Sequence, residues 1–196
     1  MIRRFFASLL AFTAFAITPA HAKDELVVAM TQMPGTWNPV ISSMLAKSLI
    51  ANMTARPLTA YDADWKLVCL ACTELPTVEN GKARVVDLPD GKKGMEIDFE
   101  LRDLRWGDGV PVTTKDVAFT LEVGRHPLSG VASAEGYKRV LKLDVKDDRR
   151  FTMTIDRGTF DYNSSGLQLL PAHIEKPIFE ANPAAYRNKT AFDTQS

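Results

Sequence analysis

The sequence predicts a mixed α+β fold, and three features of the chain lead to this prediction. Three pairs of segments alternate apolar and polar side chains on either side of a turn, which is the pattern of antiparallel hairpins. One stretch near the middle carries the start signals of a helix instead. Further helical segments flank the hairpins, and hairpins combined with a few helices make an α+β arrangement.

The first residues have the parts of a secretory signal peptide. Arg3 and Arg4 give a positive start, and residues 5–17 are apolar but too few to span a bilayer. An Ala-His-Ala triplet ending at Ala22 fits a cleavage site. We therefore expect residues 1–22 to be a signal peptide. No cysteine lies at the cleavage point, so a lipid anchor is not expected. No other apolar run approaches the ~18 to 20 residues of a membrane helix.

The mature chain is predicted to open with a strand, a loop and a helix. Residues 26–30 are an unbroken apolar run, which suits a strand buried on both faces. Asn38 before Pro39 predicts a helix cap with proline at the first helical position. The predicted helix runs to about residue 53, and four apolar residues lie near one of its faces: Ile41, Leu45, Leu49 and Met53.

Three hairpins follow from the alternating pattern and its turn residues. Their strands are residues 58–61 with 65–68, residues 83–88 with 95–101, and residues 141–145 with 151–155. Residues 167–170 predict a further strand that Pro171 ends. Pro177 and Pro183 bracket a short helical piece.

The central helix is predicted to begin at Thr113, whose hydroxyl can accept from the free N–H groups of the first turn. Asp116 three residues later completes a capping box, and Val112 and Val117 have the spacing of a hydrophobic staple. Gly124 is expected to end the helix in a left-handed cap. Every residue in this stretch is explained by folding rather than by chemistry.

The residues around this helix resemble a known protein family. RWGDGVPVTTKDVAFTLE (105–122) resembles the signature of the extracellular solute-binding proteins of family 5, the receptors of peptide- and nickel-type ABC importers. The matching residues are Trp106, Asp108, Gly109, Pro111, Thr113, Asp116, Val117, Phe119 and Leu121. Thr114 departs from the alanine that is usual there. Shorter segments at 37–39, 57–71 and 170–175 are also similar, although Cys69 stands where that pattern has proline.

The resemblance implies the N-terminal part of a bilobed periplasmic-binding-protein fold of type II. Family members are longer than this chain, so it is interpreted as an N-terminal fragment. Residues 23–53 would begin the first ligand-binding lobe, and residues 54–163 would form a peripheral subdomain. Residues 164–196 would return to the first lobe.

The same resemblance implies a function. Such proteins capture a peptide or similar small solute in the periplasm and deliver it to an ABC permease in the inner membrane. In the family, the loop after the first strand borders the ligand, which makes Thr31, Gln32, Met33 and Trp37 the candidate ligand-binding residues. We expect a monomer that is not an enzyme, has no cofactor or metal and does not itself span the membrane.

Cys69 and Cys72 form a C-x-x-C motif, which can be a redox dithiol, half of a metal site or a small disulfide. A redox dithiol needs a thiolate at a helix start, whereas the element that follows is broken by Pro76. A metal site needs two further ligands, and His126 and His173 are isolated. Because export favours oxidation, we predict a local disulfide or an inert buried pair.

Two other functions stay open at this point. The first is a thiol–disulfide oxidoreductase that uses Cys69 and Cys72. The second is a binding protein repurposed as a sensor or as a chaperone partner. Nucleic-acid binding is not indicated, because the charges balance at 24 basic and 24 acidic residues and no basic face is visible.

Overall fold

The computed structural model describes Glu25 and residues 27–194. Its helices are α1 (Leu45–Thr54), α2 (Thr114–Arg125), α3 (Glu135–Arg139) and α4 (Ala172–Ala181). Its strands are β1 (Thr59–Tyr61), β2 (Leu67–Cys69), β3 (Ala83–Asp87), β4 (Lys93–Glu100), β5 (Val140–Val145) and β6 (Arg150–Ile155). Two short 3-10 helices follow, Tyr186–Asn188 and Ala191–Asp193. This mixture of hairpins and helices confirms the predicted fold class.

Residues up to Thr31 and residues from Gln32 onward form two separate compact units. The described residues of the first unit contain neither helix nor strand. The strand predicted at 26–30 is therefore wrong over its described part, 27–30. Val27, in this run, is 78% exposed rather than buried. The signal peptide predicted at 1–22 and its cleavage site lie outside the described residues.

The larger sheet has four antiparallel strands in the order β3-β4-β6-β5. Ile97 lies opposite Met153 and Phe99 opposite Phe151 across the central pair of strands. The two phenylalanine rings stack with centroids 5.6 Å apart. Side chains alternate between the two faces of a strand, so these four share the buried face. The hairpins predicted at 83–101 and 141–155 are confirmed.

The first hairpin is also confirmed, as a separate two-stranded sheet. Thr59 lies opposite Cys69 and Tyr61 opposite Leu67. At its tip, Trp65 has a left-handed backbone with φ of 58° and is 83% exposed.

Helix α2 lies between two hydrophobic cores and contributes side chains to both. Val117 and Leu121 pack into the sheet core, which comprises the buried face of the four-stranded sheet with residues such as Leu58 and Val112. Phe119 and Val123 pack into a second core, here called the helical core. Its other buried members are Val40, Ile41, Leu170, Phe179 and Tyr186.

The N-terminus of α2 is as predicted, and its C-terminus is not. Thr113 caps the helix, and Asp116 closes the capping box. Gly124 does not end it, because α2 continues to Arg125. The glycine instead packs directly beneath the ring of Tyr137 in α3, where a Cβ would overlap the ring.

The start of α1 also differs from the prediction. Asn38 does not cap a helix, because its Oδ1 accepts from the N–H of Val40 at 3.1 Å in a local turn. The helix begins only at Leu45, which is 75% exposed. Of the predicted apolar stripe, Ile41 is buried before the helix begins, and the other three residues are exposed.

Two further elements near the end of the chain were predicted incorrectly. Residues 167–170 are extended without forming a strand. They are held instead by hydrogen bonds from Leu58 N to Leu167 O at 3.1 Å and from Leu170 N to Thr120 Oγ1 at 2.8 Å. Pro177 lies inside α4 rather than before it. Within the described residues, no helix is both long and apolar enough to cross a membrane.

Candidate functional site

A cavity of about 490 Å³ opens beside Trp37. Volumes of roughly 300–1,000 Å³ are typical of sites for small molecules. Its walls come from the loop before α1, from α1 itself, from the turn before α2 and from the segment that follows Gly166. The lining residues that matter for its chemistry are Trp37, Lys47, Arg56, Arg105, Trp106 and Gln168.

Asp193 holds the loop that carries Trp37. Its Oδ1 accepts a hydrogen bond from the backbone N–H of Trp37 at 2.7 Å. Its Oδ2 accepts from the hydroxyls of Thr36 at 2.7 Å and Thr190 at 3.1 Å. Hydrogen bonds to an ionised acceptor are stronger than neutral ones. A carboxylate 156 residues further along the chain therefore fixes this wall of the cavity.

The buried side chain of Lys47 holds residues 38–42 of the same loop by hydrogen bonds. The residue is 4% exposed, and its Nζ donates to the carbonyl oxygens of Asn38 at 3.0 Å, of Ile41 and of Ser42 at 2.6 Å. Burial lowers the pKa of Lys47. Asn38 also donates from Nδ2 to the hydroxyl of Tyr186 at 3.1 Å. Three acceptors match the three donors of the ammonium group, so Lys47 acts as a structural cation.

Trp106 also lines the cavity and is positioned by Asp116. The indole N–H of Trp106 donates to Asp116 Oδ2 at 3.3 Å, and Thr113 N donates to the same oxygen at 2.8 Å. The other carboxylate oxygen accepts from Ala172 N at the start of α4, also at 2.8 Å. Gly109 closes the intervening turn with a φ of 86°, a conformation that glycine tolerates without strain.

One of the four predicted ligand-binding residues is a lining residue of the cavity. Trp37 lines the cavity, whereas Gln32 and Met33 are exposed and are not among its lining residues. Thr31 is exposed as well. Trp106, which the sequence identified only as a match to the family signature, also lines the cavity. Lys47 and Gln168 also line the cavity, and Asp193 holds the loop that carries Trp37. None of these three residues belongs to a local sequence motif from which its position could have been predicted.

Cys69 and Cys72 form a disulfide in the structure. Cys69 ends β2, Cys72 is fully buried, and no helix begins at either residue. The arrangement therefore lacks the helix start that stabilises a reactive thiolate. Among the residues that the structure describes, no group of three or more His, Cys, Asp or Glu side chains could hold a metal ion.

His173 forms a hydrogen bond with Asp108, which lies in the turn before α2. Its Nε2 lies 2.7 Å from Oδ2 of Asp108, so the pair joins the first turn of α4 to the turn before α2. This hydrogen bond is the main cause that lowers the pKa of Asp108, assisted by the backbone N–H of Val110.

Comparison with solved structures gives strong matches to solute-binding proteins. An oligopeptide-binding protein from Thermus thermophilus, complexed with a pentapeptide, is 34% identical over 79% of this chain, with a TM-score of 0.65. NikZ from Campylobacter jejuni, in complex with Ni(L-His), is 20% identical over 87% of this chain, with a TM-score of 0.63. AppA from Bacillus subtilis, an oligopeptide-binding protein in complex with a nonapeptide, is 20% identical over 80%, with a TM-score of 0.58.

These matches cover part of each neighbour. The chain spans 26%, 31% and 29% of the length of the three proteins, respectively. No protein-family model matches the chain, and no curated protein is significantly similar to it. Over the part that it spans, the chain is similar to the extracellular solute-binding proteins of family 5 and has their fold.

Proposed function

We propose that this chain is part of the substrate-binding component of an ABC importer. It would capture a peptide or a similar small solute in the periplasm and deliver it to a permease in the inner membrane. The observation that supports this most directly is the 34% identity to an oligopeptide-binding protein that was solved with a pentapeptide. The neighbours described above are binding proteins, which supports a role in binding rather than catalysis.

Within this proposal, residues 23–53 and 164–196 belong to the first ligand-binding lobe, and residues 54–163 form a peripheral subdomain. The helical core supports this division, because Val40 and Ile41 pack there with Leu170 and later residues. Helix α2 would connect the two parts, since it has side chains in both cores.

We propose Trp37 as a ligand contact, because it lines the cavity on a loop that Asp193 holds in place. Thr31, Gln32 and Met33, which are exposed, stay candidates. Capture would follow from closure of a second lobe over the solute, driven by tighter binding in the closed state.

A thermal-shift panel of a dipeptide, a pentapeptide and a nonapeptide tests the proposal on the full chain. A bound peptide stabilises the native state, by about 2.7 kcal/mol at a concentration one hundred times its Kd. Trp37→Ala should abolish the shift, whereas Trp65→Ala, which changes an exposed residue outside the cavity, should leave it intact. Absence of any shift, together with binding to a protein partner, would support the sensor or chaperone alternative instead.

A further inference from the structure

The charge of the cavity indicates the chemistry of its ligand. Among the described residues, its lining contains three cationic side chains, Lys47, Arg56 and Arg105, and neither aspartate nor glutamate. Lys47 is already bound to three carbonyl oxygens. The two arginines are exposed, and neither joins an ion pair among the described residues. The cavity therefore has two cations that form no ion pair with the part of the chain that the structure describes.

The donors of these arginines are largely available. Arg105 donates from Nη1 to the carbonyl oxygen of Gly109 at 2.9 Å. A guanidinium group has five N–H donors in a fixed fork, and this fork matches the two oxygens of a carboxylate. An anionic ligand would thus gain charge-assisted hydrogen bonds without displacing an existing ion pair.

A second polar group in the lining lacks a partner. The side-chain oxygen of Gln168 is buried and accepts no hydrogen bond from the described residues. A buried acceptor of this kind is usually satisfied in proteins, and a turn of the Gln168 side chain toward the cavity would let a ligand N–H group complete it. Trp37 and Trp106 supply large aromatic surfaces elsewhere in the lining.

We propose that the cavity binds a small solute that carries a carboxylate, which pairs with Arg56 and Arg105, and an N–H donor that reaches Gln168. This inference rests on the proposed function, because it assigns a ligand class to the same cavity. Small peptides with a free C-terminus have both groups.

The test is a ¹⁹F NMR titration of the full chain labelled with 5-fluorotryptophan. The chain has three tryptophans. Trp37 and Trp106 line the cavity, whereas Trp65 does not and serves as an internal reference. Trp37→Phe and Trp65→Phe assign the resonances. The probes are the tripeptide Ala-Leu-Ala, its C-terminal amide, phenylacetate and phenylacetamide.

We expect each acid to bind about tenfold more tightly than its amide, the effect of losing one charge-assisted contact. Arg56→Gln and Arg105→Gln should each weaken binding of the acids by a similar factor. Arg105→Lys keeps the positive charge and should lose less. Arg157→Gln is the matched control, because it removes an exposed arginine that does not line the cavity.

The outcomes separate this inference from the proposed function. Acids and amides that bind equally, or arginine variants that bind like the control, would overturn the carboxylate assignment while peptide capture stands. Preference for phenylacetate without any response to the peptides would support the carboxylate assignment and contradict peptide capture. If no probe moves the Trp37 and Trp106 resonances relative to Trp65, the inference is overturned.

Discussion

Asp116 shows how one residue of the signature stretch can join three segments of the chain. It is 3% exposed, and its two carboxylate oxygens accept from Thr113, Trp106 and Ala172. The capping box predicted from the sequence accounts for the bond to Thr113. The other two bonds depend on the tertiary fold, so the capping-box motif predicts one of the three hydrogen bonds that Asp116 accepts.

Asp116→Asn is therefore expected to destabilise the chain. The amide keeps one acceptor oxygen, but its NH₂ group replaces the other and faces a donor. The expected loss in free energy of unfolding is about 1–3 kcal/mol, the cost of leaving buried partners unsatisfied. Denaturant unfolding measures it. Asp103→Asn is the control, because Asp103 is exposed and its side chain makes no hydrogen bond to a described residue. It should change stability by less than about 0.5 kcal/mol, and equal losses would contradict the assigned role.

Asp108 makes stability depend on acid pH. The hydrogen bond with His173 lowers the pKa of this carboxyl below its ordinary value of 3.8. A carboxyl with a lowered folded-state pKa stabilises the fold above the unfolded-state value, and this stabilisation is lost as the pH falls through the folded-state value. The difference in unfolding free energy between wild type and Asp108→Asn should therefore shrink below pH 3.8. A difference that grows on acidification would contradict the pairing.

At the scale of elements, α2 is the helix around which both cores form. Val117, which the sequence predicted to be part of a hydrophobic staple, lies on the face toward the sheet core together with Leu121. No sequence prediction covered the second face, with Phe119 and Val123, which packs into the helical core. A helix that is apolar on more than one side is buried between elements rather than lying on a surface.

Gly124 is predicted to be required for the packing of α2 against α3. Gly124→Ala would place a methyl group inside the ring of Tyr137, and overpacking of this kind typically costs about 1–3 kcal/mol. Gly136→Ala, in α3, is a matched control, because a Cβ there meets no atom within 4 Å. It should be neutral or stabilise by up to about 1 kcal/mol through helix propensity. Thermal unfolding compares the two variants.

Tyr137→Leu provides a second check on this packing. A smaller and more flexible side chain at this position should relieve part of the clash in the double variant with Gly124→Ala. If Gly124→Ala destabilised the chain no more than Gly136→Ala, this result would contradict the close approach of α2 and α3.

Elements built from neighbouring residues were predicted well, and those that depend on distant contacts were not. The three hairpins and the Thr113 cap follow from turn residues, alternation and local hydrogen bonds. By contrast, the turn at Asn38 forms around the buried Lys47 and Tyr186, which no local pattern reveals. The same limit applies to the candidate site. Trp37 was found from a motif, whereas Asp193, which holds it, lies 156 residues away.

At the scale of the whole molecule, the disulfide between Cys69 and Cys72 is interpreted as a structural link rather than as a redox centre. The two cysteines are three residues apart, so the bond closes a very short loop. In the chain-entropy account, a loop of this size contributes about 2 kcal/mol, compared with about 4.7 kcal/mol for a loop of 100 residues. Reduction should therefore lower the stability of the whole chain modestly and leave it folded.

Intact mass and thermal unfolding, each with and without reductant, test this expectation on the full chain. Reduction should add about two hydrogens to the mass. The fall in melting temperature should correspond to a loss in free energy of unfolding of no more than about 2 kcal/mol. Cys72→Ala should destabilise more than Cys69→Ala, because Cys72 is a fully buried member of the sheet core while Cys69 is partly exposed at its edge. An unchanged mass would mean that the two thiols are free. Global unfolding on reduction would mean that the sheet core depends on the disulfide rather than on its own packing.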